Sequence, residues 1–159
     1  MTRPTVIGVL AMLAMAALSC SRPEAMDTAS FVTLPEQGWM RGSCVSFSPE
    51  YGDSTACYDL TLTVRHTTDC PFRELFLPVD IIGENASARR QCLNLRLADD
   101  YGSWTGSGFG ALYQCSTVLA RRVTPREART IVVWQAMDSV PVLSGVTEVG
   151  LTATLIKPR

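Results

Sequence analysis

Residues 57–66 read CYDLTLTVRH, and this stretch decides the fold. Its apolar and polar side chains alternate at every second position, the apolar set being Tyr58, Leu60, Leu62 and Val64. Successive side chains of a β-strand point to opposite faces of a sheet, so a period of two indicates a strand with one buried face. The sequence therefore predicts a half-buried strand here.

The same period of two recurs along the chain. It is clear in three further segments and weaker in four, the clear ones being 74–83, 91–98 and 146–156 and the weaker ones 30–34, 43–48, 111–119 and 129–136. Turn-forming residues separate the segments, as at Ser48-Pro49 and Ser144-Gly145. We therefore predict an all-β fold, an antiparallel β-sandwich of about eight strands, with a closed β-barrel as the alternative.

The first twenty residues have the pattern of a lipoprotein signal. Arg3 precedes an apolar run from Val6 to Leu18, and small residues then lead to Ser19-Cys20. This run of about 13 residues is too short for a permanent membrane helix, which needs roughly 20. We predict that residues 1–19 are a signal peptide that is removed and that Cys20 carries the lipid. An ordinary secreted protein with an incidental Cys20 is the alternative.

The remaining chain has the composition of one small domain on a tether. Residues 20–30 are polar and lack periodicity, so they form the predicted tether, and residues 31–159 form the predicted domain. Lysine and arginine total 14 against 15 aspartate and glutamate residues, which excludes the basic surplus of a nucleic-acid-binding protein. Membrane lipid, through Cys20, is therefore an expected partner, and nucleic acid is not.

The cysteines other than Cys20 do not have metal-site spacing. They lie 13, 13, 22 and 23 residues apart, at Cys44, Cys57, Cys70, Cys92 and Cys115. Zinc ligands usually include closely spaced cysteine pairs, and the chain has neither such a pair nor more than one histidine. We expect no metal and no cofactor. An extracytoplasmic compartment permits disulfides, so we expect one or two bridges and at least one free thiol, with the pairing open.

No catalytic set is evident in the sequence. His66 stands at the end of a predicted strand, where we expect a surface histidine, and none of the familiar nucleophile or phosphate-loop motifs is present. The neighbouring acids Asp99 and Asp100 lie in a predicted turn, where such side chains usually bond their own backbone. We therefore predict a protein that is not an enzyme and has no catalytic residues.

Residues 97–114, LADDYGSWTGSGFGALYQ, combine glycine with aromatic residues. Glycine permits positive φ angles and close backbone approach, and the aromatic side chains offer contact surface. Two interpretations stay open: a recognition platform, or a structural corner in which Trp104 folds onto the edge of the sandwich. The candidate interaction surface consists of Arg65, Asp99, Gly102, Trp104, Gly106 and Gly108.

Two patterns give the chain a family resemblance. Residues 65–75, RHTTDCPFREL, and residues 97–110, LADDYGSWTGSGFG, resemble two patterns of the GldH family of gliding-motility lipoproteins. The chain departs from the first pattern at Cys70, where the family prefers tyrosine, and at Glu74, where it prefers asparagine. The resemblance implies a β-rich envelope lipoprotein that is required for gliding, is linked to motility and secretion machinery, and has no catalytic residues. It also makes another protein of the cell envelope an expected partner.

A second class of function remains open. The predicted sandwich and the residues Trp39, Trp104 and Trp134 are also compatible with a carbohydrate-binding module, whose partner would be a glycan held on exposed rings. For location, Ser21 follows Cys20 without the acidic residue that favours retention in the inner membrane. We therefore expect an outer-membrane lipoprotein that faces the periplasm rather than the cell surface.

Overall fold

A computed structural model describes residues 27–156. The predicted signal peptide and Cys20 lie outside the described residues. Within them the chain is all-β and forms eleven strands. These are β1 (Thr28–Thr33), β2 (Trp39–Met40), β3 (Cys44–Phe47), β4 (Tyr58–Thr67), β5 (Glu74–Ile82), β6 (Ala88–Arg96), β7 (Ser107–Phe109), β8 (Leu112–Val123), β9 (Thr130–Trp134), β10 (Val142–Leu143) and β11 (Val146–Leu155).

The larger sheet has five antiparallel strands in the order β1-β11-β4-β8-β7. Its central strand, β4, is the stretch with the clearest alternation. Leu60, Leu62 and Val64 are fully buried, whereas Asp59 and Arg65 on the other face are only partly buried. The alternation of the sequence has therefore become one face in the core and one toward solvent, as antiparallel sheets require.

The smaller sheet has four antiparallel strands in the order β3-β9-β5-β6, and β2 pairs with β10 beside it. Leu75, Leu77 and Val79 of β5 are fully buried and belong to the same core cluster as the inner side chains of β4. Pro78 lacks a backbone N–H, and pairing of β5 with β9 begins one residue later, at Val79. The core therefore lies between the two sheets.

The predicted fold class is confirmed. All eight predicted segments are strands, and the other three, β2, β7 and β10, are only two or three residues long. Both sheets are open, because each ends in two different edge strands. The arrangement is a sandwich and not the closed-barrel alternative.

The sandwich has two ends, which we name by where the chain enters. The entry end contains the start of β1 together with the loops 48–57, 83–87 and 124–129. The far end contains the loops 68–73, 97–106 and 135–141 and the turn 110–111 between β7 and β8, beside which Phe109 lies. The ten residues of β4 run from one end to the other, a length of about 33 Å. Strand β1 begins at Thr28, three residues before the predicted domain start at Phe31.

Candidate functional site

The glycine- and aromatic-rich segment forms a tight loop at the far end. Ala98 and Trp104 form an isolated antiparallel bridge, which closes the loop on itself. Inside it, the Asp99 carboxylate accepts hydrogen bonds from the backbone N–H groups of Tyr101 and Ser103, each at 2.9 Å. Asp99 thus shapes the turn, which is the structural role that its position in the sequence suggests.

Trp104 is held against the end of the core. Its ring centroid lies 4.7 Å from that of His66 and 6.0 Å from that of Tyr113, and the His66 and Tyr113 rings are stacked at 5.9 Å. His66 is completely buried. The prediction of a surface histidine is therefore wrong, because the loop, which is distant in sequence, covers the end of β4. This packing favours the structural-corner interpretation for Trp104.

The space around the glycines of this segment differs from one position to the next. A Cβ at Gly106 would collide with the Gln114 carbonyl oxygen, and its φ of +84° also disfavours other residues. A Cβ at Gly108 would lie 2.7 Å from the Leu112 carbonyl oxygen. Gly102 has a φ of +83° but open space beyond it. Gly106 and Gly108 therefore allow β7 to approach β8 closely, whereas Gly102 serves only the turn.

Two aromatic side chains of the segment point into solvent. Tyr101 is 95 % exposed and Phe109 is 96 % exposed. Burial of exposed apolar surface favours association, and such aromatic anchors are typical of protein interfaces. The candidate surface drawn from the sequence omitted both residues. The signal available in the sequence was that each is followed by a glycine, Gly102 or Gly110. In the structure both glycines have a positive φ, as is common in turns.

Arg65 lies on the solvent face of the larger sheet and not in the loop. Its guanidinium donates to Glu148 at 2.6 Å and to Gln114 at 2.9 Å, and it lies 4.1 Å from the ring centroid of Phe31. These contacts join four neighbouring strands, β1, β11, β4 and β8, across one face. The structure therefore brings Asp99, Gly102 and Trp104 together at the far end. Arg65 lies apart from them, with Gln114 and Glu148 on the solvent face of the larger sheet.

Comparison with known proteins gives the family. The model of the GldH lipoprotein family matches residues 28–153. The chain belongs to this family. It is 28 % identical over 120 residues to a gliding motility lipoprotein GldH homolog of Christiangramia forsetii, covering 70 % of this chain and 74 % of the relative. It is 26 % identical over 149 residues to the gliding motility lipoprotein GldH of Flavobacterium johnsoniae, covering 90 % and 92 %.

The departures from the GldH pattern fall at two kinds of position. Cys70 is 4 % exposed, and its backbone packs closely against Gly145. A Cβ atom added to Gly145 would lie 2.5 Å from the Cα atom of Cys70. Glu74 instead begins β5, where its carboxylate lies 3.4 Å from the amide nitrogen of Asn94. The change at Cys70 therefore concerns packing, whereas the change at Glu74 alters the polar surface.

One pair of side chains in this GldH-family chain has the composition of a catalytic dyad. The Cys115 sulfur lies 3.9 Å from Nε2 of His66 and 3.1 Å from the Thr105 carbonyl oxygen. Burial raises the pKa of the Cys115 thiol and lowers the pKa of His66. An activated cysteine requires the opposite shifts, toward thiolate and imidazolium. The pair therefore packs as two neutral groups.

Metal and disulfide chemistry have little basis in the described residues. Between residues 27 and 156, no group of three or more histidine, cysteine or acidic side chains could hold a metal ion. The five cysteines in that range are free thiols, so the expected one or two disulfides are not present. Cys70 and Cys115 are buried, and Cys44 and Cys92 are exposed. The same range contains no helix that is long and apolar enough to span a membrane.

The three tryptophans do not form a shared platform for sugars. Trp39 is 2 % exposed in the core, and Trp104 stacks on His66. Trp134 is half-buried on the outer face of the smaller sheet, where its indole N–H donates to Asp80 at 2.9 Å. A glycan platform needs several exposed rings on one surface, so this arrangement gives the carbohydrate-binding alternative no specific support.

Proposed function

We propose that this chain is a lipid-anchored envelope protein that takes part in gliding motility through protein contacts at its far end, without catalysis. Membership of the GldH lipoprotein family and the names of the two relatives support the connection with motility. The observation that carries the proposed mode of action is the placement of Tyr101 and Phe109 at the end opposite the chain entry.

The geometry of the anchor supports this arrangement. With lipid on Cys20, seven residues, 21–27, lie between the anchor and Thr28, and a chain of this length with random-coil dimensions spans about 15 Å. The entry end would then lie close to the leaflet, and the far end would project from it by about 33 Å, the length of β4. A contact made by the exposed aromatic tips is therefore directed away from the membrane. Two or more acyl chains give stable anchoring without further membrane contacts.

The motility part of the proposal is tested in the bacterium that makes this protein. Deletion of its gene should abolish spreading on a soft surface, and the unmodified gene should restore it. Cells that spread normally after deletion would refute a role in motility. A Cys20→Ala variant should be absent from the membrane fraction and should fail to restore spreading. If this variant is soluble and still restores spreading, the need for an anchor is refuted.

The contact surface is tested with matched variants. Tyr101→Ala with Phe109→Ala should reduce spreading while leaving the unfolding midpoint unchanged, because both side chains are almost fully exposed. Val118→Ala is the control, since Val118 is 41 % exposed but lies on the sheet face, away from the far end. Equal effects of the two changes would refute a specific far-end contact. Separation of inner and outer membranes, followed by protease treatment of intact cells, tests the proposed outer-membrane location and periplasmic face.

A further inference from the structure

Strand β1 is an edge strand without the usual protection against strand pairing. In the described part of the chain it pairs with β11 alone, through six residue pairs in unbroken register. Its sequence, TASFVT, contains no charge and no proline. Proteins normally blunt an edge with charged residues, proline, a bulge or a very short strand. β1 has none of these features.

The other edges of the two sheets differ from β1. Strand β7 is three residues long and β3 is four residues long. Strand β6 is longer but carries Arg89, Arg90 and Arg96. Short or charged edges are poor templates for an added strand. β1 therefore combines length and a lack of charge in a way that the other three edges do not.

The backbone of β1 presents three outward-facing residues. The Leu34 N–H donates to the Thr147 carbonyl at 2.8 Å, continuing the register of the β1–β11 pair. In an antiparallel ladder, alternate residues direct both backbone groups to the same neighbour. Even-numbered residues therefore face β11, and the N–H and C=O groups of Ala29, Phe31 and Thr33 face away from the sheet. These groups have the spacing that one additional strand would pair with.

A groove lies beside the first half of this edge. It has a volume of about 460 Å³, and its lining includes residues 27–30, residues 48–50, Leu151 and Ala153. The segment that follows β3 borders the groove and touches the start of β1, where the Thr28 hydroxyl donates to the Glu50 carbonyl oxygen at 2.8 Å. Leu151 and Ala153 belong to the hydrophobic core and give the groove an apolar floor. Val32 is 36 % exposed on the same side of the strand. A strand added to β1 would direct alternate side chains into this groove, which would select apolar ones.

We propose that β1 and this groove accept an extended segment of a partner protein, which adds as a sixth strand with apolar side chains at alternate positions. Backbone hydrogen bonds to Ala29, Phe31 and Thr33 hold the segment, and the groove selects its side chains. A second copy of this chain is the less suitable occupant. Antiparallel pairing of two β1 strands turns the two entry ends in opposite directions, which disfavours anchoring both copies in one leaflet; this step rests on the proposed lipid anchor.

Amide hydrogen exchange on the complete mature chain in detergent micelles tests the proposal. In the free protein the amides of Ala29, Phe31 and Thr33 should exchange rapidly, whereas those of Ser30 and Val32 should be protected by β11. The probe is a synthetic peptide of residues 146–155, VTEVGLTATL, which copies the strand that β1 already pairs with. Saturating peptide should slow the three outward amides by about ten-fold or more, while the same peptide N-methylated at every amide, which removes the donors of both edges, should have no effect.

Several outcomes would overturn the proposal. It fails if millimolar peptide protects none of the three amides, or if the N-methylated peptide protects them equally. It also fails if protection appears without peptide and rises with protein concentration as a dimer forms, because β1 would then pair with a second copy. None of these measurements involves motility, so they can fail while the proposed function stands, and the reverse also holds.

A matched pair of variants isolates the backbone contribution. Proline at position 29 removes an outward N–H but none that bonds to β11, and proline is tolerated on edge strands. Ala29→Pro should therefore keep the unfolding midpoint and lose peptide protection at Phe31, whereas Ala29→Val should keep both. If Ala29→Pro binds the peptide as well as Ala29→Val does, strand addition is refuted.

Discussion

Replacement of Trp104 by alanine should destabilise the fold and expose His66 at the same time. Replacing a fully buried tryptophan by alanine lowers the free energy of unfolding by about 3–5 kcal/mol. Trp104 is only partly buried, so we expect the free energy of unfolding to fall by about 2 kcal/mol. For a domain of this size that corresponds to a fall in Tm of roughly 6–10 °C. Because the indole contributes to the burial of His66, the pKa of His66 should rise toward its usual value.

Two measurements on one sample test this expectation. Urea denaturation gives the change in free energy of unfolding, and an NMR pH titration of the untagged protein gives the pKa of His66 without ambiguity, since the chain has one histidine. Tyr101→Ala is the control, because Tyr101 is in the same loop but 95 % exposed, and it should change the free energy by less than about 0.5 kcal/mol. Equal stability of the two variants, with an unchanged His66 pKa, would refute the packing role of Trp104.

Three further predictions follow from the burial of single groups. Burial lowers the folded-state pKa of His66, so the unfolded chain takes up a proton at a higher pH than the folded protein does. The free energy of unfolding should therefore be undiminished by this group above about pH 6.5 and fall below it. The urea midpoints at pH 7.5 and pH 5 should differ less in the His66→Gln variant than in the unmodified protein. Gly106→Ala should lower Tm more than Gly102→Ala does, because only Gly106 is blocked by neighbouring backbone, and equal calorimetric shifts would contradict this. In maleimide labelling of the native protein, Cys44 and Cys92 should react first, and the two buried thiols should require unfolding; uniform labelling would argue against the burial described.

Local periodicity was sufficient to predict the longer strands. Alternation in β4 reports one buried face directly, and the same holds for β5, β6 and β11, so these strands were found within a few residues. Strands β2 and β10 have two residues each, which is too few for a period, and they exist because distant segments meet. Strand β8 extends beyond the predicted segment to Val123, past a register shift against β4 and a positive φ at Arg122 that no local pattern indicates.

The candidate site was predicted in part, and the failures have a common cause. The role of Asp99 depends on its own turn and could be inferred locally. The burial of His66 depends on Trp104, which lies far along the chain, whereas its position at the end of a predicted strand suggested exposure. The free thiols were also beyond reach of the sequence, because cysteine spacing does not determine which sulfur atoms approach.

The pairing of β1 with β11 has a mechanical consequence. In the proposed anchored state, a pull between the membrane and the far end acts along the strands, and β1 is the strand through which that load enters the domain. Because its six register pairs with β11 lie along the direction of the pull, they resist together in shear and do not open one after another. A force that a partner exerts on Tyr101 and Phe109 is therefore transmitted to the lipid through the full length of the β1–β11 pair.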